Sequence, residues 1–218
     1  MFAKLYRDNN HMLRTVAFSL LLASTNIVSA QVLTPDEILA MVNKKVEIAG
    51  PYAELLNDPD PARQLAAIEI MMETKDASLV AMAARAGFLS TDPDVRQKTL
   101  EGYLATGPSI SIIIDGSATD DSWFESSMKE AGAAVSPEGV AGVTYAVGDY
   151  DTEKRCYVFV GASADSCFLQ VSNAGVEATA PGGYFKLQGS LSDAGTIEGF
   201  ASVYNTSGGF PSTLRLLP

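Results

Sequence analysis

The sequence predicts an α+β protein in which a helical N-terminal part precedes an antiparallel β part. From Thr34 to about Gly107, apolar residues recur at helical spacing, and Asp-Pro and Gly-Pro pairs separate the runs. From Pro108 onwards Gly, Ser, Thr, Val and aromatic residues dominate, and apolar side chains alternate with polar ones. Because the two patterns occupy separate stretches, we expect a helical domain over 31–107 and a β-rich domain over 108–218.

Residues 1–30 have the composition of an export signal. A basic start with Lys4 and Arg14 precedes an uncharged apolar stretch over 15–28, and small residues end this segment at Ala30. We therefore expect cleavage near Ala30 and a periplasmic or secreted protein, with Met12 as an alternative start. The competing interpretation is a buried helix of the folded protein.

The charge of the chain excludes some classes of partner. The 218 residues include 15 Lys and Arg against 26 Asp and Glu, a net charge of −11. Residues 1–30 hold three basic and one acidic residue, so their removal would leave 188 residues with net charge −13. Such an acidic protein is not expected to bind nucleic acid or an anionic membrane surface. No apolar run reaches the roughly 18 residues that a membrane span needs.

Cleavage would also remove His11, the only histidine. A chain without imidazole cannot form a Ser-His-Asp or Cys-His catalytic system or a zinc site with histidine ligands. Acid–base catalysis at neutral pH would then need a carboxylate, Lys, Tyr or Cys with a shifted pKa. We therefore expect a protein that is not an enzyme and has no cofactor.

Four helices are predicted in the first part. Thr34, Pro35 and Glu37 form a start signal, with a hydroxyl cap, proline at the first helical position and a capping-box glutamate. Gly50-Pro51 predicts the end of this helix. Three further helices are expected over about 61–73, 78–86 and 93–106.

Two of these segments repeat with a period of 33 residues. Leu56, Arg63 and Gln64 recur as Leu89, Arg96 and Gln97. Each arginine follows an Asp-Pro turn, at Asp60 and Asp92. Residues 52–106 thereby resemble the HEAT-like helical repeat family, whose units open with a leucine, an Asp-Pro turn and a Val-Arg step.

The resemblance implies an interaction scaffold, in which the Asp and Arg of each turn stabilise neighbouring units. Asp60, Arg63, Asp92 and Arg96 are accordingly expected to be structural. The segment holds fewer than two full units, below the three or so that a solenoid needs. We therefore expect its helices to pack against the second part of the chain or against another copy of the protein.

The second part predicts an antiparallel β-sandwich or a small open barrel. The last three strands have good turn residues between them and should form a meander. The predicted strands are Val140–Val147, Cys156–Val160, Cys167–Val171, Tyr184–Leu191, Thr196–Tyr204 and Phe210–Leu217.

The stretch 109–135 allows two interpretations. Ile110–Ile114 predicts a buried strand, and Ser122 with Glu125 predicts the start of a helix to about Ala131. The segment is either a small α/β unit or a connector that lays one helix over the sheet, and we favour the connector.

Cys156 and Cys167 are the only cysteines, and an exported protein would usually pair them. A turn near Gly161 would bring them together across a hairpin. We expect a structural disulfide rather than a redox-active pair, because the spacing is not Cys-x-x-Cys.

Few motifs carry chemistry. Ser126 and Lys129 form a Ser-x-x-Lys pair one helical turn apart, a weak candidate for a catalytic dyad without its companion motifs. Asp115, Asp120 and Asp121 are a weak candidate for a cation site, although the EF-hand pattern fails.

The only tryptophan, Trp123, is either an exposed binding anchor or, as we favour, a helix residue packed on the sheet.

These observations together predict an exported, soluble, non-catalytic interaction protein. Its partner is expected to be another protein or an envelope component, and the chain itself is a candidate for homo-oligomerisation. The alternatives are a β domain that binds a small hydrophobic ligand and a histidine-free hydrolase that uses Ser126 and Lys129.

The export signal makes a direct prediction about the protein in its host. We expect the N-terminus of the exported protein, read by mass spectrometry of its terminal peptide, to be Gln31. A terminal peptide that begins at Met1 or Met12 would contradict cleavage.

Overall fold

The computed structural model of the protein describes residues 33–161, 167–172 and 175–217. The predicted export signal and His11 lie outside the described residues. The chain divides into two compact units, Met1–Asn43 and Lys44–Pro218. Helix α1 (Pro35–Leu56) begins in the first unit and ends in the second, and all other described elements belong to the second.

Aspartate caps define where three helices of the second unit begin. They are α2 (Pro61–Glu73), α3 (Ala77–Phe88) and α4 (Pro93–Ala105). The carboxylate of Asp60 accepts a hydrogen bond from the backbone N–H of Ala62 at 2.9 Å, and those of Asp76 and Asp92 bind first-turn amides in the same way. Each cap satisfies backbone donors that have no partner inside the helix.

The sequence analysis expected helix α1 to end at Gly50-Pro51. The helix instead continues to Leu56. A proline usually forces the preceding residue out of the helical conformation because its ring meets that residue's Cβ. Gly50 has no Cβ, so this clash is reduced and the helix passes through the proline.

Over its described residues, the second part of the chain contributes nine strands, one α-helix and a short 3₁₀ helix (Pro181–Gly183). The strands are β1 (Ser109–Asp115), β2 (Ala134–Val135), β3 (Val140–Asp151), β4 (Cys156–Phe159), β5 (Cys167–Ser172), β6 (Gly175–Thr179), β7 (Phe185–Leu191), β8 (Ile197–Val203) and β9 (Phe210–Arg215). Helix α5 (Ser122–Glu130) lies between β1 and β2 in the chain. The sequence analysis did not include β2 or β6.

The strands form one antiparallel sheet that closes on itself. Its order is β1-β9-β8-β7-β6-β5-β4-β3, and β1 also pairs with β3, so that eight strands make a closed barrel. The short strand β2 pairs with β3 in addition. The sequence analysis expected a sandwich or an open barrel. The barrel is instead closed, because Ile112 pairs with Leu214 on one side and with Val143 on the other. The expected meander β7-β8-β9 is present.

Helix α5 is a connector that covers the sheet, as favoured from the sequence. Strands β1 and β3 on either side of it are antiparallel, whereas a βαβ unit needs parallel strands. The ring of Phe124 packs 4.9 Å from that of Phe210, and the buried hydroxyl of Ser127 donates to the backbone oxygen of Tyr204 at 2.8 Å. These contacts hold α5 against the end of the meander.

One apolar core joins the helices of the second unit to the barrel. The hydroxyl of Tyr103 on α4 donates to the backbone oxygen of Leu216, just after β9, at 2.7 Å. Arg96 on the same helix forms an ion pair of 2.8 Å with Asp193 in the β7–β8 turn. The helices are thus completed by packing against the β part, one of the two outcomes expected from the short repeat.

The predicted disulfide is present. Cys156 and Cys167 begin strands β4 and β5, which pair as an antiparallel hairpin, and their Cα atoms lie 5.6 Å apart. A cross-link over so short a loop stabilises the fold by about 2–3 kcal/mol, mainly by restricting the unfolded chain.

The contact between α3 and α4 depends on a glycine. A Cβ at Gly87 would lie 2.0 Å from Oγ1 of Thr99, a buried side chain on α4. We expect Gly87→Ala to lower the free energy of unfolding by about 1–3 kcal/mol, because the helices must separate to admit the methyl group. Urea denaturation followed by circular dichroism measures this change.

Gly142→Ala is the matched control, because a Cβ at Gly142 on β3 meets no atom within 4 Å. Its effect should be neutral or slightly stabilising, since alanine restricts the unfolded chain more than glycine does. Equal losses in the two variants would contradict the packing argument.

Candidate functional site

A long apolar groove runs over the helices of the second unit. It has a volume of about 1030 Å³ and lies between α2, α3 and α4, with Leu217 from the chain end in its wall. We call it the helical groove. Its apolar lining includes Ile68, Met72, Val80, Ala81, Gly102 and Ala105.

Small residues create this groove. Ala77 and Ala81 are one turn apart on α3, and Gly102 and Ala105 are close on α4, so that no long side chain fills the space between the helices. A Cβ at Gly102 would lie 3.1 Å from Sδ of Met72, which shows how closely α2 approaches α4 there. The groove is therefore open above and tightly packed at its floor.

Charged side chains line the rim of the helical groove. Lys98 forms an ion pair with Glu101 at 3.0 Å, and the hydrogen bond and charge of Glu101 raise the pKa of Lys98. Glu69, Glu73 and Lys75 complete the rim. An apolar groove with a charged rim is typical of a surface that binds an amphipathic segment of another protein.

A second groove of about 460 Å³ adjoins α3. Its lining includes Ala53 and Leu56 from the end of α1, and Met82 and Ala86 from α3. Ala81 lines both this groove and the helical groove. The sequence analysis did not single out Ala81 or Gly102, because small residues at helical spacing also occur in ordinary helix packing. The clustering of small residues on α3 and α4 was the sequence signal that could have indicated the groove.

Large apolar side chains are exposed along α1, both in its part within the first unit and in its part within the second. In the first unit, Ile38, Leu39, Met41 and Val42 are 48–58% exposed. In the second unit, Val46, Ile48 and Leu55 are also exposed, whereas Leu56 is buried. Large apolar residues concentrated on one helix in this way often mark an interaction surface.

The four residues expected to be structural form helix caps or ion pairs. Asp60 and Asp92 cap their helices, as described above. Arg63 forms an ion pair of 3.0 Å with Asp58 in the preceding turn, whereas Arg96 pairs with Asp193 of the β part. The two arginines of the repeat therefore have different partners, and the HEAT-like resemblance stays a prediction.

The candidate dyad lies on the exposed side of α5. Ser126 is exposed, and Lys129 forms an ion pair with Glu125 on the same helix. The neighbouring Ser127, not Ser126, is the buried serine of this helix.

The three candidate cation ligands have local roles. Asp121 caps α5, Asp115 accepts a backbone hydrogen bond from Ser117 at 2.9 Å, and Asp120 is exposed. Hydrogen bonds from Ser117 lower the pKa of Asp115. Within the described ranges, no three His, Cys, Asp or Glu side chains are grouped so as to hold a metal ion.

The sequence analysis favoured packing of Trp123 on the sheet. The structure instead leaves this side chain 54% exposed. Helix α5 presents only one face to the sheet, and Phe124 occupies it. Trp123 is therefore left on the solvent side of the helix.

Aromatic side chains occupy the inside of the barrel. The ring of Tyr145 on β3 packs edge-on against Phe159 and Phe168, with centroids 5.2 Å and 5.3 Å away. Its hydroxyl donates to the backbone oxygen of Ala131 at 2.6 Å. A cavity of about 310 Å³ lies beside Phe159 and Phe168, so the alternative of a hydrophobic ligand held in the β domain stays a prediction.

Comparison of the chain with protein families, with curated proteins and with solved structures gives no match. Among the helices that the structure describes, none is both long and apolar enough to cross a membrane.

Two buried tyrosines make a prediction about stability in alkali. Burial raises the pKa of Tyr145 to about 12, and burial, with smaller effects of Glu101 and Tyr150, raises that of Tyr157 to about 12. The unfolded tyrosines ionise near pH 10, so the stability that the buried phenols contribute is complete below about pH 10 and is lost between about pH 10 and 12. We expect the free energy of unfolding, measured in urea, to fall over that interval.

Tyr157→Phe should reduce this pH dependence, because it removes one of the buried phenols whose pKa is raised. A free energy of unfolding that stays constant from pH 10 to 12 would contradict the assignment.

Proposed function

We propose that this is an exported, non-catalytic interaction protein that binds a segment of another protein or an envelope component in the helical groove. The observation that carries the proposal is the groove itself. It has a volume of about 1030 Å³, lies among α2, α3 and α4, and its lining is mostly apolar. A surface of this kind gains binding energy by removing apolar area from water, at about 25 cal/mol per Å².

The volume of the groove, about 1030 Å³, and its apolar lining favour a segment of another protein over a small compact ligand. Its rim carries both acidic and basic groups, Glu69 and Glu73 on α2 and Lys75 just after it, which suits a partner with charges beside an apolar stripe. The second groove on the other side of Ala81 would lengthen the same surface. The HEAT-like resemblance of residues 52–106 is in keeping with such a scaffold.

The export assignment supports an extracytoplasmic partner. The disulfide between Cys156 and Cys167 suits an oxidising compartment. The composition of residues 1–30 suits an export signal.

Ala81→Gln tests the proposal at the point that the two grooves share. The longer polar side chain should fill the groove, and since Ala81 is exposed, the fold should tolerate it. We expect a specific partner to co-purify with the tagged protein from the exported fraction of its host and to be reduced at least tenfold with Ala81→Gln. Quantitative mass spectrometry of the captured proteins is the measurement.

Ala66→Gln is the matched control, an exposed alanine in the middle of α2 that lines neither groove. This variant should capture the partner as well as the unsubstituted protein does. Equal capture by both variants would exclude the groove as the binding site, and labelling of the protein by an acylating probe that is lost with Ser126→Ala would favour the hydrolase instead.

A further inference from the structure

A second, polar cleft lies where α4 meets the β3–β4 hairpin. It has a volume of about 560 Å³, and its walls carry Gln97 and Glu101 from α4, Tyr150 and Tyr157 from the hairpin, and Ser172 from β5. Arg155, the last residue of the β3–β4 turn, lines it as well. The cleft shares only Glu101 with the helical groove, so it offers a binding site independent of the proposed function.

The backbone at Arg155 is in a conformation that favours glycine. Its φ angle is +55°, in the left-handed region, where the Cβ of other residues is crowded. Asp151 shapes this turn by accepting hydrogen bonds from the backbone N–H groups of Glu153 and Lys154, both at 3.0 Å. The turn geometry alone would be served better by glycine, which points to a role for the arginine side chain.

That side chain is exposed and has no ion pair among the described residues, although the protein is strongly acidic. A guanidinium group presents a planar pair of donors that matches a carboxylate in two parallel hydrogen bonds. The Arg155 end of the cleft therefore suits one anionic group.

The Glu101 end of the cleft has the opposite requirement. The carboxylate of Glu101 accepts from Lys98 at 3.0 Å and from the amide of Gln97 at 3.1 Å. A carboxylate has about four acceptor positions, so it can still accept hydrogen bonds from ligand hydroxyl groups, whereas a second ligand carboxylate would be repelled. This end suits neutral hydroxyl donors.

The same cleft contains a flat apolar surface. The ring of Tyr150 is 47% exposed and is held by the edge-on ring of Tyr157, with centroids 5.0 Å apart. Tyr157 is itself fixed, because its hydroxyl donates to the backbone oxygen of Glu101 at 2.9 Å. The exposed ring can therefore receive the C–H face of a saturated ring without rearrangement.

We propose that this cleft binds an acidic sugar, with its carboxylate on Arg155, its ring face on Tyr150 and its hydroxyl groups on Glu101. A peptide with a free carboxyl terminus also carries an anion, but it would need an apolar recess for its side chain. The cleft has one aliphatic side chain, Val171, and its other lining residues carry polar groups, so it offers little room for such a recess.

Titration of the purified full-length protein with D-glucuronate, monitored by NMR, tests the proposal. D-Glucose and acetate are the matched probes that carry only the ring or only the charge. We expect D-glucuronate to bind at least tenfold more tightly than either, and to bind more weakly when salt is raised from about 0.05 M to about 0.5 M. Equal binding of glucose or acetate, or tighter binding of N-acetylphenylalanine, would overturn the sugar assignment.

Arg155→Gly separates binding from folding. It should weaken D-glucuronate binding at least tenfold and leave the Tm unchanged or raised by up to about 3 °C, because glycine relieves the left-handed backbone. Asn205→Gly is the matched control, since Asn205 also has a positive φ of +60° but lies outside the cleft and both grooves. Unchanged affinity in Arg155→Gly, or an equal loss in Asn205→Gly, would refute the role of Arg155.

Discussion

Strand β1 hydrogen-bonds to β9 on one side and to β3 on the other, and this double pairing determines the architecture of the second unit. Strands distant in the chain meet only because β1 lies between them. Its alternate residues Ile110, Ile112 and Ile114 are fully buried, so the strand that closes the sheet also supplies its core. Because β1 pairs with β3 as well as with β9, it has no unpaired edge, which removes a site for unwanted strand pairing.

Helix α4 connects the barrel to both candidate binding surfaces. Tyr103 attaches it to the chain after β9, and the hydroxyl of Tyr157 attaches it to β4. One side of the helix contributes Gly102 and Ala105 to the helical groove, and another contributes Gln97 to the polar cleft. Because the helices and strands behind both surfaces pack on one core, most of each surface is already ordered before a ligand binds.

The chemistry of the two surfaces differs because their side chains differ in size and polarity. The helical groove arises where small residues leave space between helices, and it is suited to apolar segments. The polar cleft arises where a turn and a helix bring Arg155, Tyr150 and Glu101 together, and it is suited to a ligand with one charge and several hydroxyl groups. The two proposals together place a protein segment and an acidic sugar at separate sites of one chain, each tested by its own variant.

Local chemistry in the sequence determined the elements of this protein. Asp-Pro pairs at 60–61 and 92–93 specified where helices begin, because the carboxylate satisfies free amide groups and proline suits the first turn. Alternation and turn residues specified the last three strands, and the two cysteines specified their own pairing. Gly50 before Pro51 is a local signal that the helix can continue, which the sequence analysis took for a stop. Only the tertiary structure decided the closure of the sheet and the sites that bring Ala81 and Leu217 into one groove and Arg155 and Glu101 into one cleft. These features depend on contacts between residues far apart in the chain, and no local pattern encodes them.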